Sequence, residues 1–181
     1  RAAVCMTRAM ERQGKYDEAI KATQDFLKAN PKDTQVLARA AELYFARGNI
    51  EEATKAADAA IKIDADNAVA RLVQARLFVE SGELKKADTA FRWFVRYYNR
   101  KQPDDAESLM LVAQGALQYA RWHSSSSIFG FVINTLCPDA VKTDKRSWEA
   151  HYMSGAVLLE KYNRAQALPD LKKALTVNPR A

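Results

Sequence analysis

Small and bulky side chains recur along this chain at intervals of about 34 residues. The clearest copy is Thr34–Asn67, TQVLARAAELYFARGNIEEATKAADAAIKIDADN. Stepping it along the sequence sets Thr7, Ala41, Ala75, Ala113 and Gly155 in one column and Ala19, Ala53, Ala87, Ser125 and Ala167 in a second. Three further columns are bulkier or mixed: Met10, Tyr44, Phe78, Ala116 and Leu158; Phe26, Ala60, Phe94, Val132 and Ala174; and Tyr16, Ile50, Leu84, Trp122 and Arg164. Small residues at two fixed places per period are what two antiparallel helices need where they cross closely. In Thr34–Asn67 the crossing falls on Ala41 and Ala53, and Gly48-Asn49 is the turn between them, glycine tolerating the backbone that ends a helix. One such hairpin buries too little apolar surface to stand alone, so hairpins must stack.

The pattern predicts an all-α chain in one domain, 1–181, of five units, about 1–33, 34–67, 68–101, 106–139 and 148–181, with inserts at 102–105 and 140–147. In the first unit the helices are expected at about Ala2–Gln13 and Tyr16–Ala29, with Asn30-Pro31 ending the second. Thr34, after Asp33, is the expected N-cap of the next helix. In the third unit the first helix should end near Ser81-Gly82 and the second should run to about Asn99. On that second helix Phe91, Phe94 and Tyr98 share a core face, while Trp93 and Tyr97 point elsewhere. The fourth unit lacks a turn glycine; the expected turn is Tyr119-Ala120-Arg121-Trp122, the Ser124–Ser127 run then opens the second helix, and Cys137-Pro138 closes it. In the fifth, Pro169 removes a hydrogen bond inside the second helix and clashes toward Ala165, which predicts a kink or a late helix start.

Several of these residues resemble the tetratricopeptide repeat family: Tyr44, Gly48 and Ala53; Gly14-Lys15-Tyr16-Asp17-Glu18-Ala19 with Pro31; and Gly155, Ala174 and Pro179. The resemblance covers nearly the whole chain. It implies an α-solenoid of antiparallel hairpins coiled as a right-handed superhelix, with the first helix of each unit lining a concave face. The implied groove residues are Arg8, Arg39, Glu42, Arg76, Met110, Leu111, Gln114, Tyr152 and Met153. Family members that clamp the C-terminal carboxylates of heat-shock chaperones use lysines and asparagines there. This chain has Val4 and Arg8, Arg39 and Glu42, and Val69 and Val73 at the matching places, which argues against that clamp. Trp122–Pro138 and Ala150–Tyr162 also resemble repeat segments of large bacterial proteins with metallopeptidase-like domains, though no catalytic residue transfers.

Composition narrows the function classes. The formal net charge is +6, with charges of both signs interspersed as on solvated helix faces. The basic excess concentrates at Arg92, Arg96, Arg100 and Lys101 and at Lys142, Lys145 and Arg146. That leaves nucleic-acid binding, with Trp93 and Tyr97 stacking on bases, as a disfavoured alternative to simple solubility. No apolar run is long enough to span a membrane. Cys5 and Cys137 fall in different, non-adjacent units, so no disulfide is expected, and unpaired cysteines favour a reducing compartment such as the cytoplasm. His123 and His151 stand in no metal-ligand spacing; packing is the expected role of His151. No glycine-rich phosphate loop or nucleophile–base arrangement is readable, so neither an enzyme nor a cofactor is expected, although an arm of a larger enzyme stays open. The start at Arg1 inside a repeat reads as a piece of a longer protein.

The leading expectation is a protein-interaction scaffold. Arg8, Arg12, Arg39 and Arg76 suit carboxylates, while Met110, Leu111, Leu117, Tyr152, Met153 and Leu159 suit adaptable apolar contacts. Together they imply a peptide acidic at one end and apolar at the other, unless Glu11, Glu42 and Glu80 neutralise the arginines. The apolar flank of Ala174, Leu175 and Val177 predicts weak self-association or a further covering helix.

Overall fold

The computed structural model describes residues 2–180; Arg1 and Ala181, the expected outer limits of the first and last units, lie outside them. Among the described residues the chain is helical and without strands: α1 Ala2–Arg12, α2 Tyr16–Ala29, α3 Thr34–Ala46, α4 Ile50–Ile63, α5 Ala68–Glu80, α6 Leu84–Lys101, α7 Ala106–His123, α8 Ser126–Phe131, a π-helical segment Val132–Leu136, α9 Cys137–Thr143, α10 Trp148–Lys161 and α11 Arg164–Val177. α1 pairs with α2, α3 with α4, α7 with α8 and α9, and α10 with α11, and the fold is an α-solenoid of antiparallel hairpins. They gather into two compact units, 1–90 and 91–181.

In the first unit, α3 packs on α1, α2, α4 and α5. The crossing residues are small and fully shielded: Ala19, Ala41, Ala53 and Ala75 expose no surface. Thr7 takes the same place in α1, and its hydroxyl donates to the Ala3 carbonyl (3.0 Å). Gly14, Gly48 and Gly82 end their helices at φ of +74° to +76°, spaced 34 residues apart. The cap of α3 differs from expectation. Asp33, not Thr34, is the N-cap: its carboxylate accepts from the Gln35 and Val36 amides, and Thr34 is already helical. Asn67 caps α5 by accepting from the Ala70 amide (3.0 Å) and donates from Nδ2 to the Thr34 carbonyl (3.2 Å).

The second unit is less regular. Its core comprises Leu109, Val112, Ala113, Ala116, Val132 and Leu136, with Phe91 and Phe94 from α6 also buried. Gly115 seats the Phe94 ring: a Cβ there would collide with ring atoms of a side chain that exposes nothing. Tyr98 packs against this core as expected, but so does Tyr97, which stacks on Trp93 (4.7 Å). α6 runs to Lys101, two residues past the expected end.

The fourth pair departs most from expectation. Tyr119–Trp122 is not a turn, because α7 continues to His123 and stops at Ser124, which adopts the left-handed conformation (φ 49°, ψ 37°). This extra helical turn moves the following positions by four residues. Ser125 becomes the N-cap of α8, and Phe129, buried, takes the crossing place that Ala19, Ala53 and Ala87 hold elsewhere. Leu136 falls at the place of Ala60 and Phe94, with Val132 buried beside it, while Trp122 stays in α7 and meets Phe91 edge-on (5.4 Å). Nor does Cys137-Pro138 close the helix. Proline has no N–H to offer; the ladder widens to a π segment, with the Cys137 amide donating to Val132 five residues back, and α9 carries on to Thr143. In the fifth pair the late start expected from Pro169 does not occur. Asn163 caps α11 at Arg164 by accepting from the Gln166 amide (2.9 Å), and Pro169 stays inside the helix.

Candidate functional site

Each expected groove residue lies on the first helix of a pair, but their environments differ. In the first unit Arg39 is 4% exposed and does not face solvent. Its Nη2 donates to Glu11 Oε2 (2.6 Å) and to the Thr7 carbonyl (3.2 Å), its Nη1 to Glu42 Oε2 (3.0 Å), and its Nε to Thr7 Oγ1 (3.3 Å). A planar fork that meets two carboxylates and a carbonyl has few donors left for a ligand. Arg76 reaches solvent, yet the surrounding protein desolvates its guanidinium and lowers its pKa; the Glu42 carboxylate opposes that shift and so serves both arginines. Arg8 is half-buried on α1. In this unit Arg39, Glu42 and Arg76 are brought together as an ion network.

In the second unit Met110 is buried and belongs to the core, while Leu111 and Gln114 are half-buried on the same helix. On α10, Tyr152 is 51% exposed and Met153 half-buried against the core. Trp148 lies near Tyr152, ring centroids 6.4 Å apart. Arg121 of α7 donates twice to Glu160 of α10 (2.8 and 3.1 Å), and this pairing, with Lys161 adding to it, holds the Glu160 carboxyl below its usual range.

A polar cluster between α9, α10 and α11 escaped the sequence reading, which gave His151 to packing beside Tyr152. Ser154 Oγ donates to Asp170 Oδ2 (2.7 Å), and His151 Nδ1 lies 3.5 Å from Asp170 Oδ1. Cys137 is buried next to them. Burial first, and the Asp170 charge second, push its thiol up to about 12, against a backbone hydrogen bond from Ser154 that lowers it. A thiol so held is protonated at neutral pH and is no nucleophile. The signal that could have found the cluster was the Gly155–Ala167 crossing, since antiparallel pairing through it sets His151 and Ser154 opposite Asp170. Among the described residues no group of three or more His, Cys, Asp and Glu is placed to hold a metal. Among the same residues no helix is long and apolar enough to cross a membrane.

Residues 11–77 match the tetratricopeptide repeat family model. No curated protein matches the chain. Several solved structures share its fold. The thermophilic tetratricopeptide protein TTC0263 of Thermus thermophilus is 17% identical, with 99% of this chain and 91% of that one covered and a TM-score of 0.72. MamA from Desulfovibrio magneticus RS-1 is 14% identical over 98% of this chain and 94% of its own, with a TM-score of 0.53. YrrB, described as a tetratricopeptide protein with an unusual peptide-binding site, is 15% identical over 98% and 86%, with a TM-score of 0.50.

Proposed function

Residues 11–77 belong to the tetratricopeptide repeat family and the chain has that family's fold, and on this premise we propose a non-catalytic scaffold that binds a peptide or partner protein along its first helices. The fold is one used for protein interaction, and its five pairs are read as the five units of a single interaction domain. The observation that carries the proposal is the pair Tyr152 and Met153 on α10: a half-exposed aromatic ring beside an adaptable thioether, with Leu111 and Gln114 half-buried on α7. Such side chains are the usual anchors of protein recognition. In the first unit Arg39 and Glu42 are engaged with each other and Arg8 and Arg76 have partners within the protein, so this end is given the smaller share of binding. The nucleic-acid alternative is weakened, because Trp93 and Tyr97 stack on each other and each gives up one ring face to the other.

Selection of a displayed peptide library against the 181-residue chain tests the reading. Selected peptides should lose at least about 1 kcal/mol of binding to a Tyr152→Ala, Met153→Ala variant with unchanged helicity, and lose less to Arg8→Glu, Arg76→Glu. Peptides that bind both variants as tightly as the parent would remove the first helices from the site. The proposal includes weak self-association through the exposed Leu175 and Val177, Ala174 of the expected flank being buried, read by sedimentation at rising concentration, and residence in a reducing compartment.

A further inference from the structure

The polar cluster of the second unit opens into a pocket of about 350 Å³ between the π segment, α9, α10 and α11. Its size is at the small end of ligand pockets. Ile133, Pro138 and Val141 form an apolar wall, with Ile133 in the π segment and Pro138 and Val141 in α9 directly after it. π-helical turns occur mostly as single bulges and frequently at functional sites. Here the widened ladder and the N–H-free Pro138 belong to the pocket lining itself.

The charge in the pocket selects the ligand. Asp170 Oδ2 accepts from Ser154, while Oδ1 lies 3.5 Å from His151 Nδ1 and 3.8 Å from Lys173 Nζ, close enough for Lys173 to balance its charge. A cationic ligand would compete with Lys173 for this carboxylate. Lys142 also lines the opening, so two exposed ammonium groups stand against one carboxylate. His151, with Nδ1 directed to Asp170, keeps Nε2 as a further polar group for the ligand. The Cys137 thiol stays uncharged and extends the apolar lining. Excess positive charge at the opening and an aliphatic wall within suit one chemistry.

We propose that this pocket binds a single carboxylate carried on a short aliphatic body, the carboxylate meeting Lys142 and Lys173 and the aliphatic part lying against Ile133, Pro138 and Val141. The carboxylate has two sources, a small free acid or a glutamate side chain of a partner protein. The site uses none of the expected groove residues, so it stands or falls apart from the scaffold reading.

Amide and histidine-ring NMR spectra of the whole chain, titrated with named probes, decide it. Hexanoate is the free acid; hexanamide and hexylamine are its neutral and cationic counterparts; an acetylated and amidated tripeptide of glutamate between two leucines represents the partner. Saturable shifts at Ala150–Ser154 and Lys173 with hexanoate, and about tenfold weaker binding of hexanamide, support the site. A Lys142→Gln, Lys173→Gln variant should lose about the same factor for hexanoate while its helicity is unchanged. A response to the tripeptide alone assigns the carboxylate to a partner, and a response to hexanoate assigns it to a small acid. Hexanamide or hexylamine binding as tightly as hexanoate, or no saturable shift with hexanoate and the tripeptide at millimolar concentration, overturns the proposal.

Discussion

The first unit and the second meet the same demand, reversing a helix within a few residues, by different means. At Gly14, Gly48 and Gly82 the following amide donates five residues back, to Met10 (3.0 Å), Tyr44 (2.9 Å) and Phe78 (2.8 Å). The fourth pair makes the equivalent bond from Ser125 to Ala120 (3.0 Å), but an L-residue, Ser124, must take the left-handed conformation to do so. The first unit joins its pairs with buried polar staples, Arg39 and Asn67; the second joins α6 to α7 by seating Phe94 on Gly115, and its polar link between α7 and α10, Arg121 to Glu160, lies at the surface. In the first unit, regular spacing comes with a turn that glycine adopts freely. In the fourth pair, where that glycine is missing, α7 overruns by a turn and the following helix carries a π segment, whereas the fifth pair turns at Tyr162-Asn163 without glycine and without overrun.

The strongest way to break this contrast is to fill the aromatic seat. Gly115→Ala places a methyl group where the fully buried Phe94 ring lies, and overpacking of this kind should cost about 3 kcal/mol in chemical denaturation. An effect below about 0.5 kcal/mol would mean that the ring moves freely and that the second unit is not held as described.

Removing the first unit's staple comes next. Arg39→Ala strips the partner from Glu11 and Glu42, but both carboxylates are about a third exposed and regain water. The loss should therefore be about 2 kcal/mol rather than the larger value for a fully buried pair. Glu11→Gln should cost less than Arg39→Ala, since Glu42 and Thr7 still hold the guanidinium.

The turns sharpen the comparison with opposite signs. Gly48→Ala forces a side chain into φ +74° and should destabilise by about 1 kcal/mol. Ser124→Gly relieves the same conformation and should stabilise by up to about 1 kcal/mol. Equal signs in thermal or denaturant unfolding would show that Ser124 is held by something other than its backbone.

The smallest effect at neutral pH, but the most distinctive in form, belongs to Cys137. Unfolded cysteine ionises near ~8.5, and the folded thiol only near about 12, so the folded chain keeps this proton longer. The associated stability is intact below ~8.5 and is lost as pH rises toward ~12. The stability advantage of the parent over Cys137→Ala should shrink across that interval. In the native protein a thiol reagent at mildly alkaline pH should modify exposed Cys5 rapidly and Cys137 only after unfolding; two fast thiols would contradict the burial.

Which parts were legible in the sequence follows from the same contrast. Ala19, Ala41, Ala53 and Gly48 announce crossing and turn by residue type, and in the first unit the 34-residue step carries each assignment to the next pair. In the fourth pair nothing marks the turn, since serine is compatible with a cap, a first turn or a left-handed stop. The sequence columns therefore placed Ser125 where Phe129 packs. The groove was legible as helices but not as accessible side chains: Arg39 and Met110 sit on the expected helices, and only their contacts show them occupied. The Asp170 cluster was hidden because its members come from three helices and no one of them has an unusual neighbour in sequence.

The reach of Arg39 and Asn67 also bears on how such a chain can be recombined. A cut between Asp33 and Thr34, the boundary suggested by the hairpins, would separate Arg39 from Thr7 and Glu11 and strand a buried cation beside a foreign neighbour. A cut at Gly48 keeps Arg39 with Thr7, Glu11 and Glu42. Of the polar links described above it divides the attraction between Glu42 and the solvent-reaching Arg76, and the Asn67 bond to Thr34, whose acceptor is a backbone carbonyl that any donor sequence would supply. The natural unit of exchange in this chain therefore runs from one glycine turn to the next, half a period out of step with the hairpins themselves.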